Sequence, residues 1–177
     1  MSKNLVYKIL ISDGNKELFS SELSFSEVQE FISSADDSLQ NEKLFELASS
    51  HPSEFVRENV AYKDNINQET YKILSEDTSP NVLRRLISTD ACKRNATQEQ
   101  LEGWIKLDPE LARNIAGYID RYENVDIDEL AKILCDHPDP SVVAEVANNS
   151  DTPKKLLKTL LKHSDSRVVG NAKRSLE

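Results

Sequence analysis

Residues 139–169 read DPSVVAEVANNSDTPKKLLKTLLKHSDSRVV, and this stretch decides the fold. Val142 and Val146 are spaced as on one face of an α-helix, and Leu156 and Leu160 repeat that spacing after a polar break. Thr152 lies within the break and is a good N-cap residue, and the proline after it suits the first position of a helix. The stretch therefore predicts two short helices joined by a polar turn.

The same unit recurs along the chain. An apolar residue marks the first helix of each unit at Leu44, Tyr71, Leu101, Leu130 and Leu156. Another marks the second helix at Val56, Val82, Leu111, Val142 and Val168. N-cap candidates stand four residues before the first marker at Asn67, Thr97 and Asp126. Two independent series that keep phase predict a mainly α fold, a short α-solenoid of about five helix-turn-helix units.

The N-terminal segment has a different pattern. An apolar run from Leu5 to Ile11 precedes Asp13-Gly14, a strong hairpin turn signal, and residues 17–23 can form the return strand. Ser24 and Glu27 then form a capping box for a helix over about 26–35. We expect this hairpin to pack on that helix and on the first element that follows. The predicted domains are a hairpin-and-helix cap at 1–37 and a repeat domain at 38–177.

Two units resemble a known family. The run from Ala147 to Leu156 with the Arg-Val-Val at 167–169, and Val-Arg-Glu-Asn-Val-Ala at 56–61, look like the leucine-rich repeat variant pattern, a HEAT-like α-solenoid family. The resemblance covers residues 40–177 loosely, and units three and four are longer than the family's spacing. It implies a right-handed superhelix with a binding surface, and it implies no catalytic residues.

Composition excludes several classes of protein. The 177 residues carry 22 Lys and Arg against 31 Asp and Glu, a net charge of −9. There is no run of the roughly 20 apolar residues that a membrane span requires. Four glycines are too few and too scattered for phosphate-binding loops, and two cysteines form no disulfide framework. The Met1–Asn4 start lacks the layout of a signal peptide, so we expect a cytoplasmic protein without cofactor.

The three histidines invite a catalytic or metal-binding interpretation. His51, His137 and His163 each precede a second-helix marker by five residues, so they occupy one position in three units. We therefore interpret them as turn or capping residues, and we predict no metal site and no catalytic residue. Cys92 has basic neighbours that could lower its pKa, but it is more simply a small structural residue.

Two connections between units are longer than the others. From the end of one unit to the next N-cap, residues 87–97 and 116–126 each exceed the other connections by about four residues. Insertions in a solenoid emerge on one face, which is often the binding face, and Tyr and Arg are enriched at binding hot spots. We predict a partner-binding patch made of Lys93, Arg94, Tyr118, Arg121 and Tyr122. The alternative is that these segments are only extended helix ends.

Charge is divided unevenly along the chain. Residues 152–177 contain seven Lys or Arg and two Asp or Glu, a net charge of +5, so the rest carries −14. Within this basic unit a strip falls mostly on one helical face, formed by Lys154, Lys155, Lys158 and Lys162. The strip suits an anionic partner, or it is simply a solvated face at the end of the stack.

These features favour a non-enzymatic protein–protein interaction module, a scaffold, adaptor or inhibitor that uses the solenoid surface and the two long connections. Its partner would be another protein or a peptide. One alternative is an acidic mimic of nucleic acid that inhibits a DNA- or RNA-binding protein. Another is a HEAT-like nucleic-acid-binding protein, which the net charge makes unlikely. The sequence leaves monomer and homodimer open and indicates no membrane partner.

Overall fold

A computed structural model describes residues 5–177. Met1–Asn4, on which the expectation of no signal peptide rests, lie outside the described residues.

Two strands, β1 (Lys8–Asp13) and β2 (Lys16–Glu22), come first. Twelve α-helices follow within the described part: α1 (Phe25–Ser34), α2 (Glu42–Ala48), α3 (Glu54–Ala61), α4 (Gln68–Ser75), α5 (Pro80–Ile87), α6 (Asp90–Asn95), α7 (Gln98–Leu107), α8 (Pro109–Gly117), α9 (Ile127–Cys135), α10 (Pro140–Asn148), α11 (Lys154–Leu160) and α12 (Ser166–Leu176). Within residues 5–177 no helix combines the length and apolar character that crossing a membrane requires.

The ten sequence markers all lie in helices, each in a helix of its own. First-helix markers fall in α2, α4, α7, α9 and α11, and second-helix markers in α3, α5, α8, α10 and α12. All ten are buried or packed against the core, since each helix turns its apolar stripe inward, and all second-helix markers are buried. Each predicted helix pair is thus present as two helices.

Contacts between helices follow the order of the chain. The second helices touch in series, α3 with α5, α5 with α8, α8 with α10 and α10 with α12, and α1 precedes them by packing on α3. The first helices form a parallel series from α2 to α4, from α7 to α9 and from α9 to α11. One apolar cluster runs from α1 to α10, and a second joins α10, α11 and α12.

Both long connections contain helical structure of their own. Helix α6 lies inside the first, and a short 3₁₀ helix over Ile119–Arg121 lies inside the second. Ala91, Cys92 and Ile119 from these segments are fully buried in the main core. The extra residues therefore fill space between units in addition to forming surface.

The capping predictions are confirmed with one exception. Asn67, Thr97 and Asp126 each accept a hydrogen bond from the backbone N–H three residues on, and Ser24 forms its capping box with Glu27. The prediction for Thr152 is wrong. Its hydroxyl is buried and donates to the Val146 carbonyl over 2.7 Å, so helix α11 begins after Pro153 without a side-chain cap.

The expected packing of the hairpin is also wrong. The hairpin itself forms, but Asp13 pairs with Lys16 at the end of β1, so the turn residues are Gly14 and Asn15. Gly14 has φ +58°, a conformation that glycine adopts without steric cost. Every residue of β1 and β2 is exposed, however, and only the base of the hairpin reaches the core, through Tyr7 and Leu23. The hairpin is attached at its base and otherwise projects into solvent.

Candidate functional site

The connections between helix pairs form a hydrogen-bonded ladder. The Asp37 carboxylate accepts from the backbone N–H groups of Asp64 and Asn65, at 2.7 and 3.0 Å. The Asp64 carboxylate in turn accepts from the N–H of Asp90 over 2.8 Å. The Glu123 N–H then donates to the Lys93 carbonyl over 3.0 Å. Each connection therefore fixes the backbone of the next, and the two long connections lie side by side.

Three predicted patch residues meet on this ladder. The Tyr118 ring has two cations near it, with Lys93 Nζ 5.0 Å and the Arg121 guanidinium carbon 5.7 Å from its centroid. Both distances are within reach of a cation–π attraction. We call Lys93, Tyr118 and Arg121 the cation–tyrosine cluster.

The members of the cluster differ in accessibility. The Lys93 side chain is only 12% exposed and forms a 3.0 Å ion pair with Asp90, whereas the Arg121 side chain is 58% exposed. Arg94 is also exposed, and its guanidinium donates to the Asp64 carbonyl over 3.0 Å. Lys93 is thus the mostly buried member of the cluster. Arg121 and the neighbouring Arg94 are exposed to solvent.

Positive and negative side chains are mixed on this surface, where Lys93, Arg94 and Arg121 lie beside Asp90 and Asp120. The hydrogen bond and charge of Lys93 lower the pKa of Asp90, with smaller contributions from Arg94 and Arg121. Asp90 is therefore held as a carboxylate beside Lys93. Arg121 lies 4.0 Å from the Asp120 carboxylate, and Arg94 and Arg121 are the two cations of this surface that are exposed to solvent.

Tyr122 does not belong to the surface, so its assignment as a binding residue needs correction. It is 3% exposed, because the strand-like residues after the 3₁₀ helix turn its ring into the core beside Cys92 and Tyr71. Its hydroxyl has no hydrogen-bond partner among the described residues, and burial raises its pKa well above the ordinary value. Tyr122 is a core residue that supports the second long connection.

The four lysines of the predicted basic strip all face solvent. Lys154, Lys155 and Lys158 are exposed on α11, and Lys162 is exposed directly after it. None of them forms an ion pair within residues 5–177, in contrast to the paired arginines of α5 and α8. The strip is therefore a row of unneutralised positive charge.

The histidines share one hydrogen-bond geometry. Nδ1 of His51, His137 and His163 accepts the backbone N–H two residues on, at 3.0, 3.1 and 3.0 Å, which confirms that they are equivalent turn residues. Asp77 plays the same role in another unit, where its carboxylate accepts from the Ser79 N–H over 2.9 Å. Within residues 5–177 no group of three potential ligands is arranged for a metal ion.

The two thiols lack the environment of a reactive cysteine. Burial raises the pKa of Cys92 to about 12 and that of Cys135 to about 11. A thiol with so high a pKa carries almost no thiolate near neutral pH. Cys92 is accordingly a buried structural residue.

Sequence reasoning missed the ion pair of Arg57 with Asp77. Arg57 lies on α3 and Asp77 in the turn between α4 and α5, and the two side chains are 19% and 7% exposed. A signal was present, because Asp77 stands five residues before Val82, as the histidines stand before their own markers. The sequence signal for this ion pair is therefore an acidic residue at the position that a histidine occupies in three other units.

Comparisons with family models, curated proteins and solved structures found no match in any of the three. The resemblance to leucine-rich repeat variant and HEAT-like proteins therefore stays a prediction.

Proposed function

We propose that this chain is a non-enzymatic protein-binding module in which the helix pairs form a short solenoid. The single observation that carries the binding proposal is the Tyr118 ring with Lys93 and Arg121 both within cation–π distance. Tyr and Arg are among the residues most enriched at binding hot spots. The partner is proposed to be an acidic segment of another protein, which Arg94 and Arg121 attract.

The serial contacts of the helix pairs support the solenoid arrangement. The second helices touch in chain order, from α3 through α5, α8 and α10 to α12. Ion pairs also join neighbouring second helices, namely Arg85 with Glu58 at 3.9 Å and Arg84 with Glu110 at 3.0 Å. Nearest-neighbour contact of this kind generates an extended surface instead of a central pocket.

The chemistry of the histidines and cysteines favours binding over catalysis. Each histidine uses Nδ1 as a backbone acceptor in a turn, and each thiol has a raised pKa. These side chains therefore have structural roles. The exposed arginines and Tyr118 are the residues that we assign to binding.

Affinity purification with a charge-matched control tests the proposal. Tagged wild type, the double variant Arg94→Ala with Arg121→Ala, and the control Lys106→Ala with Lys132→Ala are compared from the native host. The control removes two exposed positive charges from α7 and α9 and leaves the cation–tyrosine cluster intact. We expect a protein that wild type and control enrich and the arginine variant loses. Equal enrichment by all three, or no enrichment by wild type, would refute the assigned surface.

A further inference from the structure

The β-hairpin exposes an unusual amount of apolar surface. Five of its side chains are at least half exposed: Ile9, Leu10, Ile11, Leu18 and Phe19. Within residues 5–177, β1 and β2 pair only with each other. An isolated two-stranded hairpin is marginally stable in water, and a third strand or a packed face is needed for independent stability. Apart from the contacts at the base of the hairpin, residues 5–177 provide neither a third strand nor a packed face.

The two edges of the hairpin differ in chemistry. β2 contains the extra residue of a bulge, because the register passes from Ile11–Phe19 to Ser12–Glu17. It also carries three charged residues, Lys16, Glu17 and Glu22, and Glu17 lies inside the strand. Bulges and charges are the features by which natural sheets protect an edge from further pairing. β1 has no bulge, and its two charged residues, Lys8 and Asp13, stand at its ends, so Ile9, Leu10 and Ile11 form an uninterrupted apolar segment.

We propose that β1 pairs in antiparallel fashion with β1 of a second copy of this chain, around a two-fold axis centred on Leu10. The result is a four-stranded sheet in the order β2–β1–β1–β2. The apolar strands then lie in the centre, and the charged, bulged strands form both edges.

The proposed register is the one in which β1 is self-complementary. With Leu10 opposite Leu10 of the second copy, Ile9 faces Ile11 and Lys8 faces Ser12, so no like charges oppose each other. In a two-fold symmetric pair of antiparallel strands, residues that face each other point to the same side of the sheet, so the axis must pass beside a residue and not between two residues. The neighbouring registers are therefore centred on Ile9 and on Ile11. The first places Lys8 opposite Leu10, and the second places Ile9 opposite Asp13. Only the register centred on Leu10 matches all three apolar residues with apolar residues.

Pairing through β1 places the apolar residues of both copies at the centre of the new sheet. Ile9, Leu10 and Ile11 are each at least half exposed in the single chain. Leu18 and Phe19 lie on the outer strand and take no part in the contact, so the interface is smaller than the roughly 800 Å² per partner of a standard stable complex. Association is therefore expected at high protein concentration.

Sedimentation and light scattering of the full chain across a concentration range test this proposal. Wild type is expected to approach twice the 20.0 kDa chain mass as concentration rises. Leu10→Lys is expected to be monomeric because it places two positive charges directly opposite each other. Leu18→Lys is the matched control, because Leu18 is exposed to the same degree, 58% against 59%, but lies on the outer strand. It is expected to dimerise as wild type does.

A charge-swap experiment distinguishes this register from other modes of association. Equimolar Leu10→Lys and Leu10→Glu chains are expected to form a heterodimer, although each alone is monomeric. Both substitutions lie on an exposed strand, so circular dichroism is expected to match wild type. A monomeric wild type at high micromolar concentration, equal disruption by Leu10→Lys and Leu18→Lys, or no heterodimer in the mixture would each overturn the proposal.

Discussion

Arg57 and Asp77 form a two-pronged ion pair between successive helix pairs. Arg57 Nε lies 2.6 Å from Asp77 Oδ2, and Nη2 lies 3.2 Å from Oδ1. The remaining nitrogen, Nη1, donates to the His51 carbonyl over 2.9 Å. A single side chain thus holds the turn of its own helix pair against the turn of the next.

Removal of Asp77 is expected to destabilise the fold strongly. Asp77→Ala leaves the Arg57 guanidinium mostly buried without its counter-ion, which lowers the free energy of unfolding by roughly 3 kcal/mol. Urea denaturation followed by circular dichroism measures the loss. Arg84→Ala is the control, because its pair with Glu110 is 42% and 52% exposed and contributes about 1 kcal/mol or less. Similar losses for both variants would contradict this account.

Tyr122 is expected to respond to substitution as a core residue. Tyr122→Phe removes a buried hydroxyl without a described partner and is expected to leave stability unchanged or raise it by about 1 kcal/mol. Tyr122→Ala opens a cavity and is expected to cost about 3–5 kcal/mol. Tyr71→Phe is the comparison, because it loses a 3.1 Å hydrogen bond to Gln100 and is expected to destabilise. If Tyr122→Ala leaves the free energy of unfolding unchanged, Tyr122 is not a core residue and belongs to the surface patch.

Stability is expected to fall as the pH drops below about 6.5, through His51. Burial and the nearby charge of Arg57 lower the pKa of His51, so the unfolded chain binds this proton more readily than the folded one. By linkage the neutral histidine's contribution is complete above about pH 6.5 and is lost as the pH falls through the folded pKa. Melting temperatures of wild type and His51→Gln between pH 7.5 and 5.0 test this. The variant is expected to show a flatter profile, and parallel profiles would exclude His51 as the cause.

Nucleic acid is expected to bind weakly or not at all. A net charge of −9 opposes the approach of phosphates, and the strip Lys154, Lys155, Lys158 and Lys162 is the row of exposed lysines to which a phosphate backbone could bind. A gel-shift assay with duplex DNA at low and moderate salt measures this directly. A complex that forms at low salt, and that the four-lysine-to-glutamine variant abolishes, would instead support the nucleic-acid alternative. That variant is expected to keep its stability within about 0.5 kcal/mol, because the lysines form no described ion pairs.

Local signals predicted the helix pairs well. Apolar spacing and caps such as Asn67 depend on a few neighbouring residues, so they can be identified in the sequence. The shared position of the histidines followed from repeat phase, and their common Nδ1 geometry confirms it.

Properties that depend on distant residues were not predictable in the same way. Tyr122 was assigned to the surface because its connection is long and polar, yet the neighbouring α6 segment creates the core that buries it. The exposure of β1 was missed because its apolar run looked like a strand packed on one face. Thr152 resembles an N-cap in sequence, but the Val146 carbonyl of the preceding helix competes for its hydroxyl.

The Tyr118 ring within cation–π distance of Lys93 and Arg121 also bears on the entropy of the binding that we propose. Ordering a free side chain costs about 0.5–1.5 kcal/mol, and a side chain that already contacts its neighbours has less conformational freedom to lose. The ladder of backbone hydrogen bonds restrains the connections beneath it in the same way. On the proposed function, we expect association at this surface to be close to a rigid-body event, with most of the ordering in the acidic segment of the partner.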